Sequence, residues 1–289
     1  MGNAWVTGAR LRTLPAAVVP VVVGTAVAWR QGDVIWWRAA AAMVVALAIQ
    51  VATNYANDYS DGIRGTDDAR VGPVRLVASG LKPAAAVKRA AFFCFAIAAV
   101  AGLTLVVATE AWWLLGVGAA CILAGWFYTG GSKPYGYAAL GEVAVFVFFG
   151  VVATVGSAYV HLEKFTLLSL GVSIPVGALA TALLVVNNLR DIPTDTAAGK
   201  RTLAVRLGDA DTRMLYVILV AVVPAVSAVI LAIGVSPRFL VLFAVAPFVV
   251  TVARPVLGGA RGRDLIPVLA GTGRVQLLYG VVLGALLAS

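Results

Sequence analysis

Two short stretches hold most of the residues in this sequence that could do chemistry. The first, NYANDYSDGIRGTDD, runs from Asn54 to Asp68 and carries Asp58, Asp61, Asp67 and Asp68. The second, VVNNLRDIPTDTAAGKRTLAVRLG, runs from Val185 to Gly208 and carries Asp191 and Asp195. One spacing separates both Asn54 from Asn187 and Asp58 from Asp191, so the stretches read as two copies of one device. On a helix, Asn54, Asp58 and Asp61 fall at i, i+4 and i+7 and share a face. Asn187, Asp191 and Asp195, at i, i+4 and i+8, do the same, with Asn188 just before Asp191. Pro193 removes a backbone donor and disfavours helix at the residue before it. The second helix is therefore expected to kink or end there, leaving Asp195 less secure on that face.

Carboxylate and amide oxygens are hard ligands, suited to Mg²⁺. That ion takes one or two carboxylates and completes its shell with water and substrate phosphate. Two facing clusters, each with one Mg²⁺, would make a diphosphate clamp. The bland alternative is a set of interfacial acids paired with nearby cations. Against it stand the shared face, the duplication and the position at helix C-termini, where the macrodipole favours cations over carboxylates. Like charges crowded there raise each other's pKa unless a cation sits among them. Arg75 in GPVRLVASG, Lys133 in GGSKPYG, and Lys200, Arg201 and Arg206 in GKRTLAVRLG supply cations that can grip phosphate oxygens. The glycines beside Lys133 and Lys200 favour those two, since glycine lets backbone approach an anion.

The elements that must position these residues are membrane helices. Of 289 residues, 61% are hydrophobic and 12% charged, against about 25% charged in soluble domains. Runs near the 20 apolar residues or so that cross a bilayer fall at about 11–29, 36–57, 85–108, 111–129, 138–160, 165–189, 213–234, 238–257 and 267–288. The chain is thus expected to be an all-α polytopic membrane protein. Its 289 residues would form one bundle of about nine spans. The first span is read as an uncleaved helix despite its resemblance to a signal peptide. Of the 22 Lys and Arg, only Arg30, Arg38, Lys164 and Arg238 fall on the side opposite the N-terminus. By the positive-inside rule, both acid-rich loops, 58–84 and 190–212, face the cytoplasm. The net charge of +9 is therefore read as topology, with lipid rather than nucleic acid as the surrounding partner. Cys94 and Cys121 lie in apolar runs and match no metal or redox spacing.

The strings NDYSDGIRGTD, GPVRLVASG, YTGGSKPYGYAALGE and NNLRDIPTDTAAGKRTLAVRLG resemble the UbiA-type intramembrane aromatic prenyltransferases. Within that family they are most similar to the branch that prenylates dihydroxynaphthoate for menaquinone. The resemblance covers essentially the whole chain. It implies a bundle around a central cavity open to lipid, in a bacterial inner membrane, with the active site facing the cytoplasm. It implies Mg²⁺ bridging a polyprenyl diphosphate to Asn54, Asp58 and Asp61, with Asp67 as an outer member, and to Asn188, Asp191 and Asp195. Asp58, Asp61, Asp191 and Asp195 would then be the catalytic carboxylates. Arg75, Lys133, Lys200 and Arg201 would help hold the departing diphosphate. Trp126, Phe127, Tyr128, Phe146, Phe148 and Phe149 could offer π-faces to an allylic cation. Arg12 is the expected anchor for an acceptor carboxylate. Glu142, inside the fifth span, is a functional candidate as base or acceptor anchor. The rival readings are another acceptor within the family (hydroxybenzoate, homogentisate, haem or a sugar phosphate), a secondary transporter and an alcohol phosphotransferase.

Overall fold

Long apolar runs bounded by clear stop signals form the helices of this chain. The structure, a computed structural model, describes residues 3–66, 74–232 and 237–289. Helix α1 (Ala4–Ala9) is capped by the Asn3 side chain, which accepts from the backbone N–H of Trp5. A short turn follows, and Pro15 occupies the first position of α2 (Pro15–Gln31), where a missing N–H costs nothing. The two helical pieces meet at 53°, so the expected first span is a short segment bent onto a full helix. Next come α3 (Trp36–Arg64), α4 (Ala84–Thr109) and α5 (Leu114–Phe127). Helices α6 (Gly141–Val145) and α7 (Ala153–Leu162) are joined through a π-helical stretch, Phe146–Val152. Then follow α8 (Leu167–Ala197), α9 (Leu203–Ala232), a 3₁₀ segment Pro237–Val245 leading into α10 (Ala246–Leu257), and α11 (Leu265–Ala288). All nine expected spans fall on these helices. Among the described residues, six spans are long and apolar enough to cross a membrane unaided, and the bent α1–α2 pair makes a seventh. Helix α5, at 14 residues, is about 21 Å long, short of the roughly 30 Å hydrocarbon core.

The two helices that carry the acidic motifs are the long ones. Helix α3 has 29 residues and α8 has 31, about 43 and 46 Å of helix. Each outruns the apolar core by several turns, so the motifs ride on helix rather than on loops. Gly65, in the left-handed region at φ 69°, ends α3 by returning its N–H to the carbonyls of Asp61 and Gly62. Helix α8 continues through Pro193 to Ala197, contrary to the expected break. Its last turns gain other bonds. The Thr194 hydroxyl donates to the Asp191 carbonyl (3.0 Å) and the Thr196 hydroxyl to the Ile192 carbonyl (2.7 Å). The Lys200 N–H reaches the Asp195 carbonyl at 2.9 Å.

Packing pairs α3 with α4, α8 with α9, and α2 with both α7 and α11. The main core runs through α2, α7, α8, α9, α10 and α11, with Val23, Leu179, Tyr216, Leu242 and Tyr279 fully enclosed. A smaller core joins α1 to α3 and α4 through Tyr55, Leu76 and Ala91. Two glycines let α8 approach the π-helical stretch. A Cβ on Gly150 would lie 2.5 Å from the Gly177 Cα, so neither helix tolerates a side chain at that crossing. At the end away from the motifs, buried Arg38 donates to the carbonyls of Val160 (2.7 Å) and Ala108 (2.6 Å) and to Glu163 (2.8 Å). One guanidinium thereby serves the C-terminal ends of α7 and α4 together.

Candidate active site

The C-terminal turns of α3 and α8 deliver both motifs to one cavity of about 1060 Å³. Asn54, Asn57 and Asp61 line it from α3; Asn187, Asn188, Asp191 and Asp195 line it from α8. The carboxylates meet at a cation. The Lys200 ammonium lies 3.4 Å from Asp61 Oδ2 and 3.9 Å from Asp195 Oδ1, and all three side chains are buried. Tyr137 closes the group. Its hydroxyl donates to Asp61, and its ring centroid is 4.8 Å from the Lys200 ammonium and 5.6 Å from the Arg64 guanidinium. Its carbonyl accepts from the Arg201 N–H at 3.1 Å. Burial, with the neighbouring Asp61 carboxylate, pushes the Tyr137 phenol up from its ordinary range.

Asp191 is gripped by its own neighbour. Arg190 donates to both of its oxygens at 2.7 Å and to Asn187 Oδ1 at 2.9 Å. Asn188 donates its amide N–H to Glu142 Oε1 at 2.9 Å. Asp58 lies elsewhere. It is fully buried, outside the lining of the cavity, paired with Arg10 and, at 2.6 Å, with Arg75, and it accepts the Leu76 N–H at 3.1 Å. Its position on α3 faces α1 and the 74–80 turn. Asn54 lines the cavity, but its amide nitrogen is bonded to the Ala9 carbonyl (2.9 Å) and the Thr13 hydroxyl (3.2 Å).

The other expected residues divide as well. Arg12, Arg75 and Lys200 line the cavity, as do Tyr128, Phe148 and Phe149. Lys133 and Arg201 are exposed and outside the lining. Lys133 sits on the turn before Pro134, which points it to solvent rather than inward. Trp126, Phe127 and Phe146 are also outside the lining; Trp126 packs on Tyr59 and Phe92. Glu142 is buried and outside the lining, with its carboxylate on Asn188, so it is not placed to act as base or acceptor anchor. Asp67 lies outside the described residues. Arg10, Asn57, Tyr137 and Arg190 are among the cavity residues that escaped the sequence reading. A signal for Asn57 existed. Asn57 and Asp61 stand apart from Asn187 and Asp191 by one spacing, three residues shorter than the one that pairs Asp58 with Asp191. In the shorter register both pairs line the cavity, whereas in the longer one Asn54 and Asn187 do but Asp58 does not.

Among the described residues no three His, Cys, Asp or Glu side chains come close enough to hold an ion unaided. One or two carboxylates per motif, with amide oxygens beside them, is nevertheless the donor set of a Mg²⁺ that shares its shell with water and phosphate. The rest of the cavity is apolar. Val45, Leu103, Val106, Ile122 and Val160 line it, with Gly102, Gly118 and Gly156 leaving room between them. A polar, charged end that opens into a long greasy chamber can take a molecule with a multiply charged head and an apolar tail.

The chain is similar to known proteins over most of its length. Residues 17–264 match the model of the UbiA prenyltransferase family. The chain is 52% identical to the 1,4-dihydroxy-2-naphthoate octaprenyltransferase of Mycobacterium tuberculosis, over 98% of this chain and 96% of that protein. It is 38% identical to the Escherichia coli protein of the same name, over 73% and 70% of the two chains. Among solved structures, a UbiA homolog from Archaeoglobus fulgidus bound to DMAPP and Mg²⁺ superposes with a TM-score of 0.66 at 14% identity, covering 99% of both chains. With its helices, its paired acidic motifs and its family match in agreement, this chain belongs to the UbiA prenyltransferase family.

Proposed function

We propose that the protein transfers a polyprenyl group from polyprenyl diphosphate to 1,4-dihydroxy-2-naphthoate, with loss of CO₂, to give demethylmenaquinone. One observation carries the reading: Asp61 and Asp195, from separate motifs, share one ammonium at the polar end of an apolar cavity. The names of the relatives that match over most of their length support the acceptor. The protein would sit in the bacterial inner membrane with this polar end at the cytoplasmic face, where the Lys and Arg bias puts it.

The hard step is breaking the allylic C–O bond, and the developing negative charge falls on the diphosphate. Asp61 with the Asn57 amide, and Asp191 and Asp195 with the Asn188 amide, are the residues that would hold Mg²⁺. When bound, that ion supplies Lewis-acid neutralisation of the departing diphosphate. Lys200 stands between the motifs and turns its charge to the phosphate oxygens. Arg75, held in place by Asp58, adds a guanidinium to the same wall. The apolar walls keep water from the allylic cation, and Tyr128, Phe148 and Phe149 offer it π-faces. The naphthoate carbon attacks the cation, CO₂ leaves, and the ring regains its aromaticity. Arg12 is the proposed anchor of the acceptor carboxylate. Lining the cavity two residues after Arg10, it lies on the bent segment that enters the bundle.

Purified protein incubated with labelled polyprenyl diphosphate, Mg²⁺ and single acceptors tests this. Label should pass to dihydroxynaphthoate and not to hydroxybenzoate or homogentisate, and EDTA should stop it. Transfer to hydroxybenzoate alone would move the chain to another branch of the family.

A further inference from the structure

Glu142 is a buried carboxylate in an apolar helix, and it does not reach the cavity. Its Oε1 accepts the amide N–H of Asn188 at 2.9 Å. The Glu142 oxygen is the acceptor in this bond, whereas an amide has one accepting end and one donating end. Glu142 therefore fixes which end of the Asn188 amide is nitrogen, and it leaves the oxygen as the end free for the cavity. Both partners sit on rigid helix. The Gly150–Gly177 crossing sets the distance between α8 and the helix that begins at Gly141. The first turn of that helix also favours a carboxylate at Glu142.

We propose that Glu142 is a positioning residue of the second acidic motif: it holds Asn188 with its amide oxygen, a hard donor, presented to the divalent ion. This rests on the reading of Asn188 as a metal ligand. Residues one step behind a ligand orient it, and their loss typically lowers metal affinity about 10–100-fold. Glu142→Ala lets the amide turn its N–H₂ to the cavity, where it repels a cation. Glu142→Gln keeps the packing but can meet Asn188 with either end, so the selection is lost.

The test is Mn²⁺ binding to the full-length detergent-purified protein in inorganic pyrophosphate, followed by the EPR signal of free Mn²⁺. Wild type, Glu142→Ala, Glu142→Gln, Asn188→Ala and the double variant Glu142→Ala/Asn188→Ala are compared, each with its thermal midpoint. Glu142→Ala should weaken binding about 10–100-fold, and Glu142→Gln should weaken it with a midpoint near that of wild type. The double variant should bind no worse than Asn188→Ala alone. If Glu142→Ala fails to fold, Glu142→Gln carries the test. Weak binding in Asn188→Ala with unchanged binding in the Glu142 variants would overturn the proposal and leave Asn188 a ligand. Unchanged binding in Asn188→Ala would remove Asn188 from the ligands and Glu142 with it. A loss from Glu142→Ala that is equal in both backgrounds would show that Glu142 acts by another route.

Discussion

Asp61 and Asp195 are bridged by a single side chain: the Lys200 ammonium stands 3.4 Å from one and 3.9 Å from the other. In a buried setting this cation offsets the electrostatic repulsion between the two carboxylates. On the proposed function it also stands within the group that a diphosphate would enter. Charge-assisted hydrogen bonds contribute roughly 1.5–3 kcal/mol, a factor on the order of 10–100. Lys200→Gln should lower kcat/KM for the prenyl diphosphate by about that factor and leave the KM for the aromatic acceptor unchanged. Steady-state kinetics with each substrate varied separately reads the split.

Asp58 and Asp61 lie within one turn of each other on α3 but face different partners. Asp58 is enclosed with Arg10 and Arg75, and removing one member of a buried pair costs about 3–5 kcal/mol. Arg10 is partly exposed, so the lower end applies. Asp58→Asn should lower the thermal midpoint in detergent more than Asp61→Asn, whose Lys200 partner keeps Asp195, whereas Asp61→Asn should abolish transfer. The opposite pattern would exchange their roles.

The chain-binding part of the cavity yields a size prediction. Gly156 lines the cavity, and a Cβ built on it meets nothing within 4 Å. Gly156→Leu should place its side chain in the chamber without disturbing the helices. Turnover of geranyl diphosphate should survive, and turnover of long polyprenyl diphosphates should fall sharply. Product analysis across a series of chain lengths checks this.

A structural lock outside the cavity lining gives a stability prediction. Arg213 donates to Asp209 at 2.6 and 2.9 Å and to the carbonyls of Val256 (2.6 Å) and Ala260 (2.9 Å) at the end of α10. Arg213→Ala loses all of these contacts and should lower the thermal midpoint more than Asp209→Ala. Hydrogen bonding to Arg213 holds the Asp209 carboxyl below its ordinary range. Its contribution is therefore complete above the usual aspartate pKa, near 3.9, and is lost as pH falls through the depressed value. The difference between wild type and Asp209→Ala should shrink on acidification, as thermal melts at several pH values would show.

The helices and the acidic motifs were legible in the sequence because apolar run length and carboxylate placement are strong local signals. The facing of individual side chains was less so. Asp58 and Asp61 sit three residues apart, and periodicity alone put both on one broad face. The structure divides that face, because α1 folds back over Asn54 and Asp58 and turns Arg10 onto them, a contact no local spacing encodes. Pro193 was expected to break α8, but threonine hydroxyls and the Lys200 backbone add bonds to its last turns. Glu142 stood out correctly as an unusual acid in an apolar helix. Its partner, Asn188, depends on where two glycines let helices cross, which is a tertiary fact. Tyr137 gave no signal because one aromatic in a glycine-rich loop looks like any other.

Both motifs together are proposed to grip one diphosphate through divalent ions. Binding of a non-hydrolysable prenyl diphosphate analogue, measured by calorimetry against Mg²⁺ concentration in wild type, Asp61→Asn and Asp191→Asn, tests it most directly. Mg²⁺-dependent binding is expected in the wild type, with its loss in each single variant. Full Mg²⁺-dependent affinity in either variant would mean that one motif suffices, and would contradict the shared clamp.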